Sequence, residues 1–398
     1  MNPDRRYYFN ALFDLELGGF SVAPLQRDAA EMTALYIPLL REGETAVVDV
    51  GLQGSYPAYL RRFGLAQGAI SAVDPGTGIP EVWGWNAAVF NRIGNIAVDA
   101  YPPLETVHRV NGRAFCSELG KRHGTGVPGS HYCRSTDEVL SALGSPDCTW
   151  PVALKSAFGG SGFGLRVVRD KTDLGSVLPR IEEHCIRHGV VVEPWYHRIC
   201  DMSTSVEVDR GVRASPVAYQ RQWVNRYGAF FGVYCAENDP VIDRWREPLE
   251  RATVIAAAAV AQTGYFGPVG FDSFVYRTAA GEQRLAPVIE INARRTMGMV
   301  AQQMRARIAP GTPVALRVIS RKRCALPATQ EEWVRRCGMI HYNVESKKGV
   351  LLLTPVRAEY SGVWLQPQRS VFFIAGSSEE EILEYDGVLR KLFSRSSC

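Results

Sequence analysis

The 398-residue sequence lacks several features that define whole classes of protein. No apolar run reaches about 18 residues, the length needed for a membrane-spanning helix. The nine cysteines include no Cys-x-x-Cys pair, and an odd, scattered set fits reduced thiols better than a disulfide framework or a zinc site. The first residues contain no clean apolar segment of the kind found in signal peptides. We therefore expect a cytoplasmic protein without a membrane partner.

A strong charge of either sign is also missing. The 45 basic and 41 acidic residues leave a net charge of only +4, and the charges are not grouped into tails. Such a balance does not favour a nucleic-acid partner. We find no internal repeat or low-complexity segment, and 46% of the residues are hydrophobic. The chain is long enough for two or three domains with cores of their own.

The most informative stretch is a predicted hairpin between residues 267 and 298. Aromatic and β-branched residues indicate strands at 271–277 and 285–292, joined by a polar turn at 278–282. Because side chains alternate along a strand, one face is expected to carry Val288, Glu290, Asn292 and Arg294. The intervening residues 289, 291 and 293 would then face a core.

Three oxygen-bearing side chains are expected to converge on this hairpin. Asp272 lies near the start of the first strand, where pairing would place it close to Glu290 and Asn292. Two carboxylates and an amide oxygen are ligands that Mg²⁺ accepts, usually together with substrate phosphates. A surface hairpin with scattered polar residues is the alternative. It explains the alternation of side chains but not the two acids and the amide on mostly apolar strands.

A second informative stretch combines a lysine with a glycine-rich loop. Lys155 lies at the end of an apolar strand, and a strand at 165–169 follows glycines 159, 160, 162 and 164. Glycines let backbone N–H groups wrap around an anion, and the lysine adds a positive charge. The segment is not a P-loop, because no Gly-Lys-Ser/Thr follows, and it lacks the Gly-x-Gly-x-x-Gly of a Rossmann turn. A glycine-rich hairpin without a ligand remains the alternative.

The flanking regions predict a mixture of strands and helices. In the first 105 residues, strands at 45–50, 69–73 and 96–98 and a helix at 56–63 favour a small α/β domain with parallel strands. Helices are expected at 113–123, 245–262 and 297–308, and an aromatic, glycine-bearing loop at 227–233. Strand-like segments follow at 314–320, 339–343, 349–353 and 370–375.

The order of these motifs resembles the ATP-grasp superfamily over about residues 105–308. The resemblance rests on Lys155 before GGSGFG, on VVEPWY at 191–196, on GFD at 270–272 and on EINAR at 290–294. It implies an α/β (α+β) chain with the ATP-grasp fold. The expected parts are an N-terminal α/β pre-ATP-grasp domain (1–105), a lid subdomain (106–190) and a catalytic subdomain (191–310). Residues 311–398 either complete the catalytic domain or form an extension.

The resemblance also implies a role for individual residues. Those expected to bind the ATP phosphates are Lys155, Gly159, Gly160, Ser161 and Gly162, with Arg113 as a further candidate. Those expected to hold the adenine are Glu193, Pro194, Trp195 and Tyr196, and Asp201 is the match for the ribose acid. The implied metal ligands are Asp272, Glu290 and Asn292. Arg294 would meet the reacting carboxyl or phosphoryl group and, with Lys155, act in catalysis.

The activity implied by the resemblance is ATP-dependent ligation of a carboxylate to an amine. The reaction would pass through an acyl phosphate, use Mg²⁺ (or Mn²⁺ in its place) and release ADP and phosphate. The expected substrates are small carboxylates and amines, amino acids first among them, and a homodimer is compatible with the resemblance. Gly270 replaces the arginine of D-alanine ligases, which argues against that substrate.

Two other functions remain open at this point. The first is an ATP-grasp kinase with a stable phosphorylated product, and the second is a nucleotide-binding protein without ligase chemistry. The intact set of acids and basic residues argues against the second. Segment 219–234 also contains Gln220, Arg221 and Arg226, which could meet a substrate carboxylate or equally be surface residues.

Overall fold

The computed structural model describes residues 4–94, 96–146, 148–160, 162–211, 214–215, 217–320 and 327–393. The strands are β1 (Arg5–Tyr8), β2 (Thr45–Val47), β3 (Gly51–Leu52), β4 (Ala69–Ser71), β5 (Ile79–Val82), β6 (His131–Cys133), β7 (Val152–Ser156), β8 (Leu165–Val168), β9 (Val190–Pro194), β10 (His197–Val208), β11 (Ala218–Val224), β12 (Phe230–Cys235), β13 (Gly267–Arg277), β14 (Gln283–Asn292), β15 (Val314–Ser320), β16 (Gly349–Leu352), β17 (Ala358–Tyr360), β18 (Val363–Leu365) and β19 (Arg369–Ala375). The α-helices are α1 (Phe13–Leu17), α2 (Gln26–Met32), α3 (Ser55–Arg61), α4 (Ala87–Ile93), α5 (Leu104–Asn111), α6 (Arg113–His123), α7 (Thr136–Gly144), α8 (Leu174–Arg187), α9 (Pro240–Gln262), α10 (Met297–Ile308), α11 (Gln330–Cys337) and α12 (Glu379–Phe393).

The N-terminal region contains the predicted parallel sheet, in the order β4-β2-β1-β5. Two of its strands, β2 and β4, confirm the segments predicted at 45–50 and 69–73 in shortened form. The strand predicted at 96–98 was wrong, because a 3-10 helix forms at Val98–Ala100 and two prolines that cannot extend a ladder follow. Strand β1 was not predicted, because it begins with two charged residues, Arg5 and Arg6, and so lacks an apolar run. In the structure, Arg5 pairs with Glu81 and Arg6 pairs with Asp74.

The middle of the chain forms a small antiparallel sheet in the order β6-β9-β7-β8. Helices α7 and α8 pack against it through a separate apolar core. The predicted helix 113–123 is confirmed as α6, which ends at Gly124 in the left-handed conformation (φ 64°). The glycine-rich segment joins β7 to β8, as the sequence predicted.

The largest sheet has eight antiparallel strands, ordered β14-β13-β10-β11-β12-β15-β19-β16. The predicted hairpin is confirmed as β13 and β14. The loop predicted at 227–233 was wrong over its second half, where β12 forms. Gly232 is accepted in that strand because the Trp223 ring of β11 covers it. Strands β15, β19 and β16 come from beyond residue 310, so the C-terminal region shares this sheet.

Two further differences concern element boundaries. Helix α9 begins at Pro240 instead of 245, because Asp239 caps it by accepting from the N–H groups of residues 241 and 242. The strand predicted at 339–343 was wrong, and a 3-10 helix (Gly338–Ile340) and isolated bridges occupy this segment. Helix α10 confirms the prediction at 297–308, with Thr296 as its cap.

One large core joins the N-terminal region to the eight-stranded sheet. It contains Leu35 and Tyr36 from the first region, Val260 from α9, and Phe271 and Phe372 from the sheet. The N-terminal region is therefore packed against the eight-stranded sheet through a shared core. Among the helices in the described ranges, none is both long enough and apolar enough to span a bilayer.

Candidate active site

A single cleft of about 830 Å³ gathers most of the predicted residues. This volume is in the range of small-molecule binding sites. Its walls come from the N-terminal region, the β7–β8 segment and the eight-stranded sheet. The predicted residues that line it are Arg113, Lys155, Gly160, Gly162, Asp201, Asp272, Glu290, Asn292 and Arg294.

The β13–β14 hairpin places the predicted metal-binding residues side by side. Asp272 lies opposite Glu290, and Asn292 lies opposite Gly270. Asn292 Nδ2 donates to Asp272 Oδ2 (3.1 Å), and Gln222 donates to the other oxygen of Asp272 (2.7 Å). Burial, followed by the negative charge of Glu290, raises the pKa of Asp272 to about 7. A cation beside both carboxylates would relieve this repulsion, so the donor set fits a divalent metal ion.

The number of acidic groups agrees with a magnesium site that is shared with a nucleotide. Within the described residues, no group of three or more His, Cys, Asp or Glu side chains is placed to hold a metal ion. Mg²⁺ is usually bound by one or two carboxylates, with water and substrate phosphates completing its shell. The Asp272–Glu290 pair meets that requirement.

A bulge in β14 changes which side chains face the cleft. Between the pairs Asp272–Glu290 and Phe274–Ala286, the single β13 residue Ser273 lies opposite three β14 residues, 287–289. Val288 is consequently buried in the main core, whereas Ile289 lines the cleft beside Glu290. The prediction that Val288 shares a face with Glu290 and Asn292 was therefore wrong, because a bulge interrupts the two-residue period.

Two buried basic residues stand beside the acids. Arg113, at the start of α6, donates to Glu290 Oε1 (2.6 Å) and to the Ser156 carbonyl (2.6 Å). Lys155, on β7, forms an ion pair with Glu193 on β9, and both side chains are buried. Two positive charges are thus fixed on the cleft wall by protein carboxylates, next to the hairpin.

The glycine-rich segment owes its path to backbone conformations that favour glycine. Gly162 and Gly164 have φ values of 87° and 75°. Gly162 packs against Ala229 in the turn between β11 and β12. Gly159 forms the bend next to β7, with φ 152°, and does not line the cleft. Ser161 lies outside the described residues.

The same segment covers the cleft by touching the N-terminal region. Gly160 approaches the Asp14 carboxylate so closely that a Cβ would lie 2.7 Å from Oδ2. The rings of Phe163 and Phe20 meet edge to face, with centroids 5.2 Å apart. The loop therefore closes on the N-terminal region as well as on the sheet that carries the acids.

Asp14 is the main site residue that the sequence did not reveal. Its carboxylate holds Arg294 in a bidentate pair, with Nε–Oδ1 at 2.9 Å and Nη2–Oδ2 at 2.8 Å. Arg294 Nη2 also donates to Asn292 Oδ1 (2.8 Å), which confirms that Arg294 and Asn292 lie together. No local pattern marks Asp14, because its partner is 280 residues away and α1 has only five residues.

The predicted ribose-binding acid, Asp201, lies in the cleft and is paired with Arg198. Burial raises the pKa of Asp201, and the charge of Arg198 opposes that shift. The Arg198 guanidinium also lies over the rings of Trp195 (5.6 Å) and Phe274 (4.4 Å). This part of the cleft therefore combines an acid with an ordered cation and aromatic surfaces.

The segment predicted to hold adenine, residues 193–196, lies next to the cleft but its side chains do not line it. Glu193 is occupied by Lys155, and Tyr196 stacks on Tyr276 with centroids 4.3 Å apart. The side chains of Glu193 and Tyr196 are thus engaged within the protein and do not face the cleft.

The polar residues Gln220, Arg221 and Arg226, suggested for a substrate pocket, make other contacts. Arg221 is paired with Asp239 (2.6 Å) and Glu379 (2.5 Å). Gln220 is buried, and Arg226 is exposed beside Tyr227. None of the three lines the cleft, so the structure contradicts this suggestion.

Solved structures of other proteins share this architecture. One is the biotin carboxylase domain of 2-oxoglutarate carboxylase from Hydrogenobacter thermophilus, in complex with MgADP, ADP and bicarbonate (TM-score 0.56, 13% identity, 99% of this chain and 90% of that chain). Another is N5-carboxyaminoimidazole synthetase from Staphylococcus aureus complexed with ADP (TM-score 0.53, 12% identity, 98% and 97%). Both are ATP-grasp enzymes. The chain has the ATP-grasp fold. The fold expected from the order of the motifs is thereby confirmed, and at these identities the likeness concerns the fold alone.

Sequence comparison adds one similar protein. The chain is similar to the [butirosin acyl-carrier protein]–L-glutamate ligase of Niallia circulans, with 28% identity over 204 residues. The match covers 49% of this chain and 45% of the relative, so the chain matches less than half of that protein's length. No family model matches the chain.

Proposed function

We propose that the protein is an ATP-dependent ligase that activates a carboxylate as an acyl phosphate and transfers the acyl group to an amine. The observation that carries this proposal is the convergence of three elements on one cleft. These are the paired acids Asp272 and Glu290, the buried cations Lys155 and Arg113, and the glycine-rich segment that closes over them. Phosphoryl transfer depends chiefly on such positioning and charge neutralisation.

The acids and the amide would hold the metal ion. Asp272, Glu290 and Asn292 bind Mg²⁺, or Mn²⁺ in its place, which when bound neutralises phosphate charge. Lys155, Arg113 and the backbone of the loop with Gly160 and Gly162 bind phosphate oxygens. Because protein carboxylates already orient both cations, little reorganisation is needed when ATP binds.

The remaining residues would place the nucleoside and the acid substrate. Asp201 binds the ribose hydroxyls, and the backbone of residues 193–196 carries the adenine. Arg294 lies beside Asn292 and meets the reacting carboxylate or the transferred phosphoryl group. To bind a substrate oxygen through two N–H groups, the Arg294 guanidinium must share or give up its hydrogen bonds to Asp14.

The proposed reaction consists of two displacements, one at phosphorus and one at carbon. A carboxylate oxygen of the substrate attacks the γ-phosphorus, and ADP leaves. The amine nitrogen then attacks the acyl carbon, the C–N bond forms, phosphate leaves with the electron pair, and the amine gives up a proton. The closed loop keeps water from the acyl phosphate during this sequence.

The substrates are small carboxylates and amines. The name of the curated relative adds L-glutamate as an acid and a carrier protein as an acyl acceptor to the set that should be screened. We further propose the division into residues 1–105, 106–190 and 191–310. The C-terminal residues complete the catalytic domain, because β15, β16 and β19 belong to its sheet.

The deciding experiment replaces the amine by hydroxylamine during a screen of candidate acids with ATP and Mg²⁺. An acyl phosphate would be intercepted as a hydroxamate of the acid, formed in equal amount with ADP. A kinase would give ADP and a lasting phosphorylated product without hydroxamate. That outcome would replace the ligase proposal by the kinase alternative.

Variants of the cleft test the site separately from the substrate. Asp272→Asn should abolish ADP formation, because it removes a metal ligand while keeping the shape of the side chain. Lys155→Met alone would leave Glu193 buried without its partner, which is itself destabilising. The double variant Lys155→Met/Glu193→Gln should restore the unfolding temperature but not the ADP release. Normal turnover in the double variant would remove Lys155 from the site.

A further inference from the structure

The cleft continues beyond Asp272, Glu290 and Asn292, the residues proposed to bind metal, to an end lined by arginines. Its lining on the large sheet runs from Asp272 on β13 through Gln222 on β11 to Arg317 on β15. Strands β10, β11 and β12 separate β13 from β15, which makes four strand-to-strand steps. At about 4.8 Å for each step, the far end lies roughly 20 Å from the paired acids.

The wall near this far end is mostly apolar. Phe230 and Phe231 on β12 and residues 318–319 on β15 form it. The Arg317 guanidinium lies over the Phe231 ring, 4.2 Å from its centroid. A surface of this kind suits the uncharged chain of an extended substrate, because it offers packing area and few hydrogen-bonding groups.

The charges at the far end do not cancel. Asp386 lies 2.9 Å from Arg317 and 2.9 Å from Arg390, so one carboxylate serves two guanidinium groups. Arg369, exposed at the start of β19, completes the lining, and no carboxylate of the described ranges forms an ion pair with it. Within the described ranges, the ion pairs of these three guanidinium groups involve one carboxylate, Asp386, so positive charge is in excess and attracts an anion.

We propose that this end binds a negatively charged group, a phosphate or a carboxylate, at the far end of the substrate that accepts the acyl group. The inference rests on the proposed ligase function and specifies its second substrate. The acceptor amine reaches the Asp272–Glu290 end while the uncharged chain lies against the apolar wall. The phosphates of ATP are not the occupant, because their cations, Lys155 and Arg113, lie at the opposite end beside the acids.

Binding of matched probes to the full chain tests this site. The probes are 12-aminododecyl phosphate, 12-aminododecan-1-ol, which is the same chain without the phosphate, and 12-aminododecanoate, which ends in a carboxylate. Dissociation constants are measured by calorimetry with Mg²⁺ and a non-hydrolysable ATP analogue present. We expect each anionic probe to bind at least tenfold more tightly than the alcohol.

Charge-reversal variants at the far end of the cleft provide a second test. The double variant Arg369→Glu/Arg390→Glu should remove the tenfold preference, whereas Arg335→Glu, the same change on the exposed face of α11, should retain it. Hydroxamate formation with hydroxylamine, which needs no acceptor site, is measured in each variant to show that the activating half-reaction still takes place. Equal binding of the phosphate probe and the alcohol, or a preference that survives the double variant, would overturn the inference. A preference without any hydroxamate or ADP would instead refute the ligase function and leave the anion site standing.

Discussion

The Asp14–Arg294 pair offers the sharpest test of how the N-terminal region is held on the eight-stranded sheet. Asp14→Asn keeps the shape of the side chain but replaces one carboxylate oxygen by an amide that cannot accept from the guanidinium. The pair contributes two charge-assisted hydrogen bonds, at 2.9 and 2.8 Å. A hydrogen bond to a charged group contributes roughly 1.5–3 kcal/mol. Arg294 keeps its bonds to Asn292 and to the Arg295 carbonyl. We therefore expect the unfolding free energy to fall by about 2–3 kcal/mol.

Urea denaturation followed by tryptophan fluorescence measures this loss. Glu247→Gln is the matched control, because it breaks a pair with Arg251 whose side chains are 85% and 66% exposed. Exposed helical pairs of this kind contribute about 0.3–0.5 kcal/mol. A loss for Asp14→Asn no larger than that of the control would refute the view that this pair joins α1 to the sheet.

Two further predictions concern the loop and the C-terminal region. Gly164→Ala should destabilise the protein by more than about 1 kcal/mol, because its φ is 75° and a Cβ would overlap the Ser156 hydroxyl. The control is Gly175→Ala, because this glycine is exposed in a helix with open space around it, and the change should be neutral or stabilising by up to about 1 kcal/mol. Equal urea midpoints for the two variants would contradict the prediction for Gly164. Burial, with a contribution from Arg62, lowers the pKa of His341 from 6.5 to about 4, so its share of stability is present above pH 6.5 and is lost as the pH falls towards 4. His341→Gln should flatten this part of the dependence of Tm on pH, and an unchanged profile would exclude that role.

Short-range signals in the sequence were sufficient for the hairpin and the glycine-rich segment. Asp272, Glu290 and Asn292 belong to two adjacent strands, so their meeting follows from the two-residue period and one turn. Lys155 and the following glycines are likewise neighbours along the chain. The motifs were recognised in order because each is complete within a few residues.

Other parts of the site depended on long-range contacts that no local pattern encodes. Asp14 meets Arg294 only because the N-terminal region packs on the eight-stranded sheet. The bulge that turns Ile289 into the cleft is a property of strand pairing, and strict alternation cannot predict it.

The far end of the cleft also depends on long-range contacts that no local pattern encodes. Three separate segments bring Arg317, Arg369 and Arg390 together, and each arginine alone resembles an ordinary surface residue in the sequence. The sequence by itself was enough to propose residues for metal and phosphate binding, since most of these lie on single hairpins. Only the tertiary structure decided which distant charges share the cleft, because that depends on how the sheet and the N-terminal region pack.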